Sequence, residues 1–394
     1  MLKSKLPVLG ILMCLPFLSF STEEISNVKV KFYSTSVDVQ YDPGTIFKFR
    51  TCTRDKCLKT FFEKMEGTNY QVLLDDLLNY KEILKLNDWF FYNLVRKSVE
   101  KVYAKETEIY QTLVCWFLFT KAGYDTHLNT AINQFVFLNV ATNDKVYHTA
   151  FLRYEKKTYV NLTAIYFGLN TRRALYEIPA YKAQEDGKLF SFQIDQLPNI
   201  PSRTVKKTIN FKFDKQAYSV DVEIDTMSRA LMRNYPTLKD EFYFKVAPSS
   251  HLKTSLLSQL KPHLKGKTDQ EKVEFLVSFT RTGFKYKFDE DLYKRNKPMI
   301  PEEIFLSSFS DHEDRCALFY FLMTELTDLD IIPVRYYDAY MTMAVELPVP
   351  VGKPIDYLGK SYFVCDPTSP NNSKKLGKFP AGMTYDTMEV VDDY

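Results

Sequence analysis

Segments whose apolar residues have the spacing of a helix are followed along this chain by segments in which apolar and polar residues alternate as in a strand. In the first half, apolar positions three and four residues apart predict helices over 72–86, 88–103 and 106–122. Asn87 can cap the second helix, and Gly123 ends the third. Alternation predicts a strand pair over 28–41 and strands over 135–140, 146–154 and 158–166. A helix-rich unit with a small sheet is therefore expected over 22–180.

The region 181–248 is rich in β-branched and aromatic residues. These predict four strands, at 189–194, 208–213, 218–224 and 241–246. A β-rich module, such as a small β-sandwich, fits this pattern.

Helical spacing returns in 249–394 and then gives way to strands. The helices are predicted over 252–264, 269–282 and 312–327, with Thr268 capping the second. An extended segment is predicted at 284–288, and strands at 332–337, 340–346 and 362–366. The expected fold is α+β with three units, the last one a helix packed on an antiparallel sheet.

The order helix, helix, apolar helix and three strands occurs twice, in 88–162 and in 269–368. Aligning the two stretches places Glu106 opposite His312 and Gln134 opposite Tyr340. A degenerate duplicate of the C-terminal core is one interpretation. The other interpretation is that the periodicity of apolar residues alone produces the same order of elements in both stretches.

Residues 1–21 have the pattern of a secretory signal peptide. Lys3 and Lys5 precede an apolar run at 6–18, and small residues stand at Ser19 and Ser21. An uncleaved anchor is the alternative, but the run is shorter than the ~20 residues that a spanning helix needs. We therefore expect an exported protein, periplasmic or associated with the cell envelope, with no transmembrane segment in the mature chain.

Composition and charge exclude several classes of ligand. Glycine is scarce, at 12 residues, and neither G-x-G-x-x-G nor G-x-x-x-x-G-K-[ST] occurs, so no nucleotide cofactor is expected. The net charge of +3 falls to +1 when cleavage of the signal peptide removes Lys3 and Lys5. Such a small net charge creates no overall positive field that would attract nucleic acid.

Five cysteines follow the leader: Cys52, Cys57, Cys115, Cys316 and Cys365. Export permits disulfides, and the turn-like stretch between Cys52 and Cys57 makes these two the favoured pair. The odd count leaves at least one free thiol, and Cys115 lies in an apolar run typical of a buried residue.

Three C-terminal segments carry a family resemblance. They are Ser-Asp-His-Glu-Asp-Arg-Cys-Ala-Leu-Phe at 310–319, Tyr-Tyr-Asp-Ala-Tyr-Met-Thr-Met-Ala-Val at 336–345 and Ser-Tyr-Phe-Val-Cys-Asp-Pro-Thr at 361–368. Their order and spacing resemble the transglutaminase-like superfamily of papain-like folds, in particular secreted bacterial members. In that family the segments bring a nucleophilic Cys at a helix start, a His on a strand and an Asp on the next strand.

The resemblance places His312 at the nucleophile position, Tyr340 at the base position and Asp366 at the third position. The triad is thus degenerate, because two of the three chemical residues are replaced. A thiolate needs a neighbouring imidazolium and a helix N-terminus to form near pH 7, and Tyr340 cannot relay a proton as His does. Thiol acyl transfer by these residues is therefore not expected.

Two other arrangements of residues would allow an enzymatic activity. Cys316 lies one helical turn after His312 and could replace the nucleophile, although a small core residue is the simpler interpretation. His312, Cys316, Cys365 and Asp366 offer ligand types that suit zinc, but their spacing matches no established site, so no metal is expected. Glu313 to Arg315 are interpreted as helix-start acids and an arginine in a fixed ion pair.

The expected function is that of a catalytically inactive pseudoenzyme with a binding or scaffolding role in the envelope. Its partner would be a peptide, a glycan or an envelope protein, bound by the cleft or by surface aromatic residues. The alternative is a peptidase or amidase of the cysteine type with altered catalytic residues.

Overall fold

The computed structural model describes residues 25–50, 54–131, 135–169, 176–177, 187–289, 291, 297–307, 309–337, 340–368, 375–380 and 382–391. The expected leader lies outside these residues. Among the described helices, none combines the length and the apolar character that crossing a bilayer requires.

The first half consists of a hairpin, four long helices and an antiparallel sheet. Its helices are α1 (Asp55–Glu66), α2 (Gln71–Ile83), α3 (Asp88–Val102), α4 (Glu108–Lys121) and the short α5 (Leu162–Phe167). Its strands are β1 (Ser26–Phe32), β2 (Thr35–Tyr41), β3 (Thr126–Ala131), β4 (Val136–Ala141), β5 (Phe151–Tyr154), β6 (Lys157–Asn161) and β7 (Tyr176–Glu177). The predicted strand pair and the three predicted helices are confirmed.

Caps and burial explain these helices. The Asn87 side chain accepts a hydrogen bond from the amide of Phe90 at 3.0 Å, and Thr107 caps α4 in the same way. Every residue of α4 from Tyr110 to Thr120 is buried, which accounts for its apolar character on all sides.

The strand prediction for 158–166 is wrong in its second half. Asn161 ends β6 and accepts a hydrogen bond from the amide of Ala164 at 2.8 Å, so the chain turns into α5. A side-chain cap therefore overrides the strand-like composition that follows it.

The middle region contains one long hairpin and two short helices. These elements are β8 (Thr204–Phe213), β9 (Gln216–Asp225), α6 (Met227–Met232) and α7 (Glu241–Phe244). The strand predicted at 241–246 is wrong, because those residues form α7. The strand predicted at 189–194 is also absent, although Phe190, Phe192 and Ile194 are buried. Alternation there reflects burial rather than strand pairing.

The expected small β-sandwich is replaced by that hairpin, whose apolar face belongs to the C-terminal core. The shared members of that face are Ile209, Phe211, Val220, Val222 and Ile224. Residues on either side of the hairpin, such as Phe192 and Tyr235, instead join the N-terminal core. The region predicted as one module, 181–248, thus contributes to two cores.

The C-terminal part is a helical layer on a second antiparallel sheet. Its helices are α8 (Ser250–Leu264), α9 (Asp269–Thr282), α10 (Pro301–Leu306) and α11 (His312–Leu326). Its strands are β10 (Lys285–Tyr286), β11 (Phe309–Ser310), β12 (Ile331–Tyr336), β13 (Tyr340–Glu346), β14 (Ile355–Tyr357), β15 (Lys360–Cys365) and β16 (Met388–Val390). The two large sheets make the chain a mixed α+β protein.

The two five-stranded sheets share one connectivity. Their strand orders are β5-β6-β4-β3-β7 and β14-β15-β13-β12-β16, with antiparallel neighbours throughout. A long helix, α4 or α11, precedes each sheet. When the two sheets are matched element by element, Glu108, which starts α4, corresponds to His312, which starts α11. In the same way Val136, which starts β4, corresponds to Tyr340, which starts β13. The register predicted from sequence was two residues away from this one, and duplication itself remains a proposal.

The cysteines divide into two kinds. Cys57 is disulfide-bonded, and its predicted partner, Cys52, lies outside the described residues. Among the described cysteines, Cys115, Cys316 and Cys365 are free thiols, and all three are buried.

The position of the hairpin gives a testable prediction. Phe211 packs its ring 5.3 Å from Phe275 and 5.1 Å from Phe279, both on α9. Phe211→Ala should lower the free energy of unfolding by about 3–5 kcal/mol in urea denaturation, because it leaves a cavity against α9. Val205→Ala, at the exposed end of β8, should cost less than about 0.5 kcal/mol. Equal losses would contradict this packing.

Candidate functional site

The three predicted site residues lie together at one end of β13 and β15, two inner strands of the C-terminal sheet. His312 is the first residue of α11, Tyr340 opens β13, and Asp366 follows β15, which pairs with β13. The His312 and Tyr340 rings meet edge to face, with centroids 5.2 Å apart. The hydroxyl of Tyr340 lies 3.1 Å from both carboxylate oxygens of Asp366.

Asp366 is the acceptor at the centre of a hydrogen-bonded group. Its Oδ1 accepts from the Thr368 amide at 3.0 Å and from the Thr368 hydroxyl at 2.6 Å. The Tyr340 hydroxyl donates to the same carboxylate, and the Thr342 hydroxyl lies 3.5 Å from it. The carboxylate is thus held by hydroxyl donors and by one backbone amide.

Tyr340 keeps its phenolic proton in this site. Burial raises the pKa of its phenol, and the negative charge of Asp366 raises that pKa further. The phenol therefore stays protonated near neutral pH. It cannot take a proton from a nucleophile as a histidine at this position would.

His312 Nδ1 lies against the carboxylate of its neighbour Glu313, and it is 3.1 Å from the Glu313 amide nitrogen. Burial alone would raise the pKa of Glu313, but the hydrogen bond and charge of His312 bring that pKa below its ordinary value. The imidazole is buried, and its ring lies between those of Phe288 and Tyr340. His312 is therefore engaged with a carboxylate instead of facing a second catalytic group.

The surroundings of His312 are acidic, and part of this charge comes from the middle region. Asp240, the residue before α7, is half-buried, and this desolvation together with the charge of Glu313 raises its pKa to about 7. Arg335 of β12 pairs with Asp240 at 3.4 Å and with Glu241 at 3.1 Å. Sequence reasoning missed Asp240 and Glu241, because it assigned 241–246 to a strand of another module.

Carboxylates cluster behind the start of α11. The ligand atoms of Asp289, Asp311 and Asp314 lie within 4.8 Å of one another, as do those of Asp311, His312 and Glu313. Hydrogen bonds occupy this cluster: Asp314 accepts from the Met299 amide at 2.8 Å and from the Asp311 amide at 3.1 Å. The zinc set considered from sequence was a different one, and the absence of a metal stays a prediction.

Neither nearby thiol can serve as a nucleophile. Cys316 and Cys365 are fully buried, and burial, with the charge of Asp366, raises the pKa of each well above its ordinary value. Cys365 Sγ lies 3.5 Å from the carbonyl oxygen of Met343, inside the sheet. Both cysteines therefore behave as core residues.

Arg315 organises the floor of the site. Its guanidinium donates to Ser310 Oγ at 3.1 Å and to three backbone carbonyls, those of Arg281 at 3.2 Å, Phe284 at 2.7 Å and Thr368. The expected fixed ion pair is wrong for the described residues, since these acceptors are neutral oxygens. Burial lowers the Arg315 pKa to about 10, so it remains charged near neutral pH.

A second buried arginine supports the same loop. Arg281, near the end of α9, donates to the carbonyl oxygen of Asp366 and lies 3.7 Å from its carboxylate. Both arginines therefore fix the backbone on which Asp366 and Thr368 stand.

Comparisons with known proteins give no match for this chain, whether to family models, to curated proteins or to solved structures.

The role of Arg315 can be tested by a conservative change. Arg315→Lys keeps the charge but removes the fork that reaches four acceptors, so buried carbonyls lose their donors. Its free energy of unfolding should fall by about 2–4 kcal/mol in urea denaturation. Arg153→Lys, at an exposed position, should change it by less than about 0.5 kcal/mol. A loss no larger than that of the control would show that the carbonyls find other donors.

The carboxylate cluster predicts a pH dependence of stability. Burial and the charges of Glu313 and Asp289 raise the pKa of Asp311 to about 8. The folded state then holds a proton that the unfolded state releases near pH 4, so the free energy of unfolding should fall as pH rises from about 4 to about 8.

Asp311→Asn separates this titration from the capping role of Asp311, because asparagine also caps a helix. The variant should lose less stability than the wild type over that range, by at least about 1 kcal/mol in urea denaturation at each pH. Asp214→Asn, in the exposed β8–β9 turn, serves as the matched control. Coincident profiles for wild type and Asp311→Asn would contradict the raised pKa.

Proposed function

We propose that this chain is an exported, catalytically inactive member of the transglutaminase-like superfamily. The observation that carries the proposal is the hydrogen bond from Tyr340 to Asp366. It occupies the carboxylate that would orient a catalytic imidazole, and it does so with a group that holds its own proton.

Support also comes from charge. Nucleophilic thiols in this chemistry form at electropositive helix starts. The start of α11 is instead surrounded by Asp240, Asp311 and Glu313. Of these acids, Glu313 has a pKa below its ordinary value, so its negative charge opposes a thiolate at this helix start.

A binding or scaffolding role in the cell envelope fits the surface around the site. His312 and Asp366 are buried, whereas Phe288, beside His312, is 49% exposed and Tyr337, at the turn before β13, is 74% exposed. Exposed aromatic rings with adjacent polar groups are typical of surfaces that bind peptides or sugars. We therefore propose a peptide, a glycan or an envelope protein as the partner.

The alternative, an amidase or peptidase working through Cys316, has no support among the described residues. Cys316 lies in the core one turn below His312, and burial suppresses its ionisation. Substrate would have to displace the helix start to reach it.

Restoring the missing residues tests the proposal. His312→Cys with Tyr340→His rebuilds Cys, His and Asp at positions whose present rings are 5.2 Å apart. At pH 7 the thiol at residue 312 should react with iodoacetamide at least about tenfold faster in the double variant than in His312→Cys alone, because the new imidazolium stabilises the thiolate. Mass spectrometry of peptides containing residue 312 measures the rate.

Two controls make the outcome readable. Adding Asp366→Asn to the double variant should reduce the gain, since the new imidazole loses its carboxylate. Labelling in denaturant reports the intrinsic reactivity of the thiol. Hydrolysis or cross-linking of peptide amides by the wild type, at a rate that the double variant does not exceed, would refute the pseudoenzyme proposal.

A further inference from the structure

A cavity of about 450 Å³ lies at the start of α1, and cationic side chains dominate its lining. The five cationic residues are Lys48, Arg50, Arg54, Lys56 and Lys64. The remaining described lining is Phe49, Cys57 and Thr60, so no carboxylate faces the cavity. All five cations are exposed.

Ion pairs within the described part of the chain do not account for the grouping of these charges. Within the described residues, none of the five forms an ion pair, whereas Lys59 and Lys121 on neighbouring positions pair with Glu63 and Glu66. Lys64 lies over the rings of Phe47 and Phe49, at 5.9 and 5.7 Å. Like charges around one cavity repel one another, so the arrangement favours an anionic occupant.

The backbone adds a second donor type to the cavity. Arg54 occupies the N-cap of the 12-residue helix α1 and makes no side-chain capping bond. The Cys57 amide donates to the Arg54 carbonyl at 2.9 Å, whereas the amides of Asp55 and Lys56 precede it at the end of the helix where the dipole is positive. An oxyanion in the cavity would meet both side-chain cations and backbone N–H groups.

We propose that this cavity binds a ligand carrying clustered oxyanion charge, that is, phosphate or sulfate groups. Its volume suits one or two such groups, not an extended polymer. The net charge of the whole chain is only +3, so the positive field is local and the rest of the surface does not provide it. This site is separate from the one at His312, and the inference does not rest on the proposed function.

Inorganic pyrophosphate is the probe for the free anion in isothermal titration with the full chain. Wild type should bind it, and raising NaCl from about 50 to about 200 mM should weaken binding markedly. Arg50→Gln with Lys56→Gln should weaken binding by about tenfold or more, because two of five cations are removed. Both side chains are exposed, and among the described residues neither forms a side-chain hydrogen bond or an ion pair, so the fold should be unaffected.

Arg153→Gln with Lys261→Gln is the matched control, since it removes the same charges from exposed positions elsewhere. It should bind pyrophosphate as the wild type does. Equal weakening in both double variants would overturn the site, as would the absence of binding to pyrophosphate and to vesicles alike.

Vesicles distinguish the source of the phosphate. Co-sedimentation with phosphatidylglycerol in phosphatidylcholine, lost in Arg50→Gln with Lys56→Gln, would assign a lipid headgroup. Pyrophosphate binding without co-sedimentation would assign a soluble ligand. Binding of poly-glutamate without binding of pyrophosphate would overturn the oxyanion proposal in favour of an acidic peptide.

Discussion

The packing of the C-terminal half depends on hydrogen-bond acceptors for one buried guanidinium group, that of Arg315. Arg315 has no exposed surface, and its donors reach the end of α9, the segment before β10, the last residue of β11 and the turn after β15. A buried charge of this kind is stable only when its donors are matched. Segments distant in sequence are therefore fixed relative to one another by a single side chain, and the loop carrying Asp366 is one of them.

That constraint explains why the position of Asp366 does not depend on the side chains at 312 and 340. Arg315 and Arg281 hold the backbone at Asp366 and Thr368 through carbonyl oxygens, which are present whatever side chains stand at those two positions. Substitution of His312 or Tyr340 should therefore leave this backbone in place. On it, the Asp366 carboxylate accepts hydrogen bonds from the hydroxyls of Tyr340 and Thr368.

Local sequence patterns predict many of the helices in this chain, but they do not predict contacts between segments that are distant in sequence. Caps at Asn87 and Thr268 and the apolar spacing of α4 predict helices well, because a cap or an apolar face is decided within a few residues. The motif around 312, 340 and 366 predicts three neighbours correctly. The placement of Asp240 beside His312, and of the β8–β9 hairpin on α9, depends on tertiary packing that no local pattern encodes.

The hairpin also bears on how the chain folds as it emerges. The apolar face of β8–β9 is synthesised before α8 and α9, its partners, so the hairpin emerges from the ribosome with that face and its strand edges uncovered. Lys206 and Lys212 alternate with that face along β8 and lie on its exposed side. Charges placed this way discourage a second chain from adding a strand. They therefore serve as gatekeepers against aggregation during the interval before the C-terminal helices arrive.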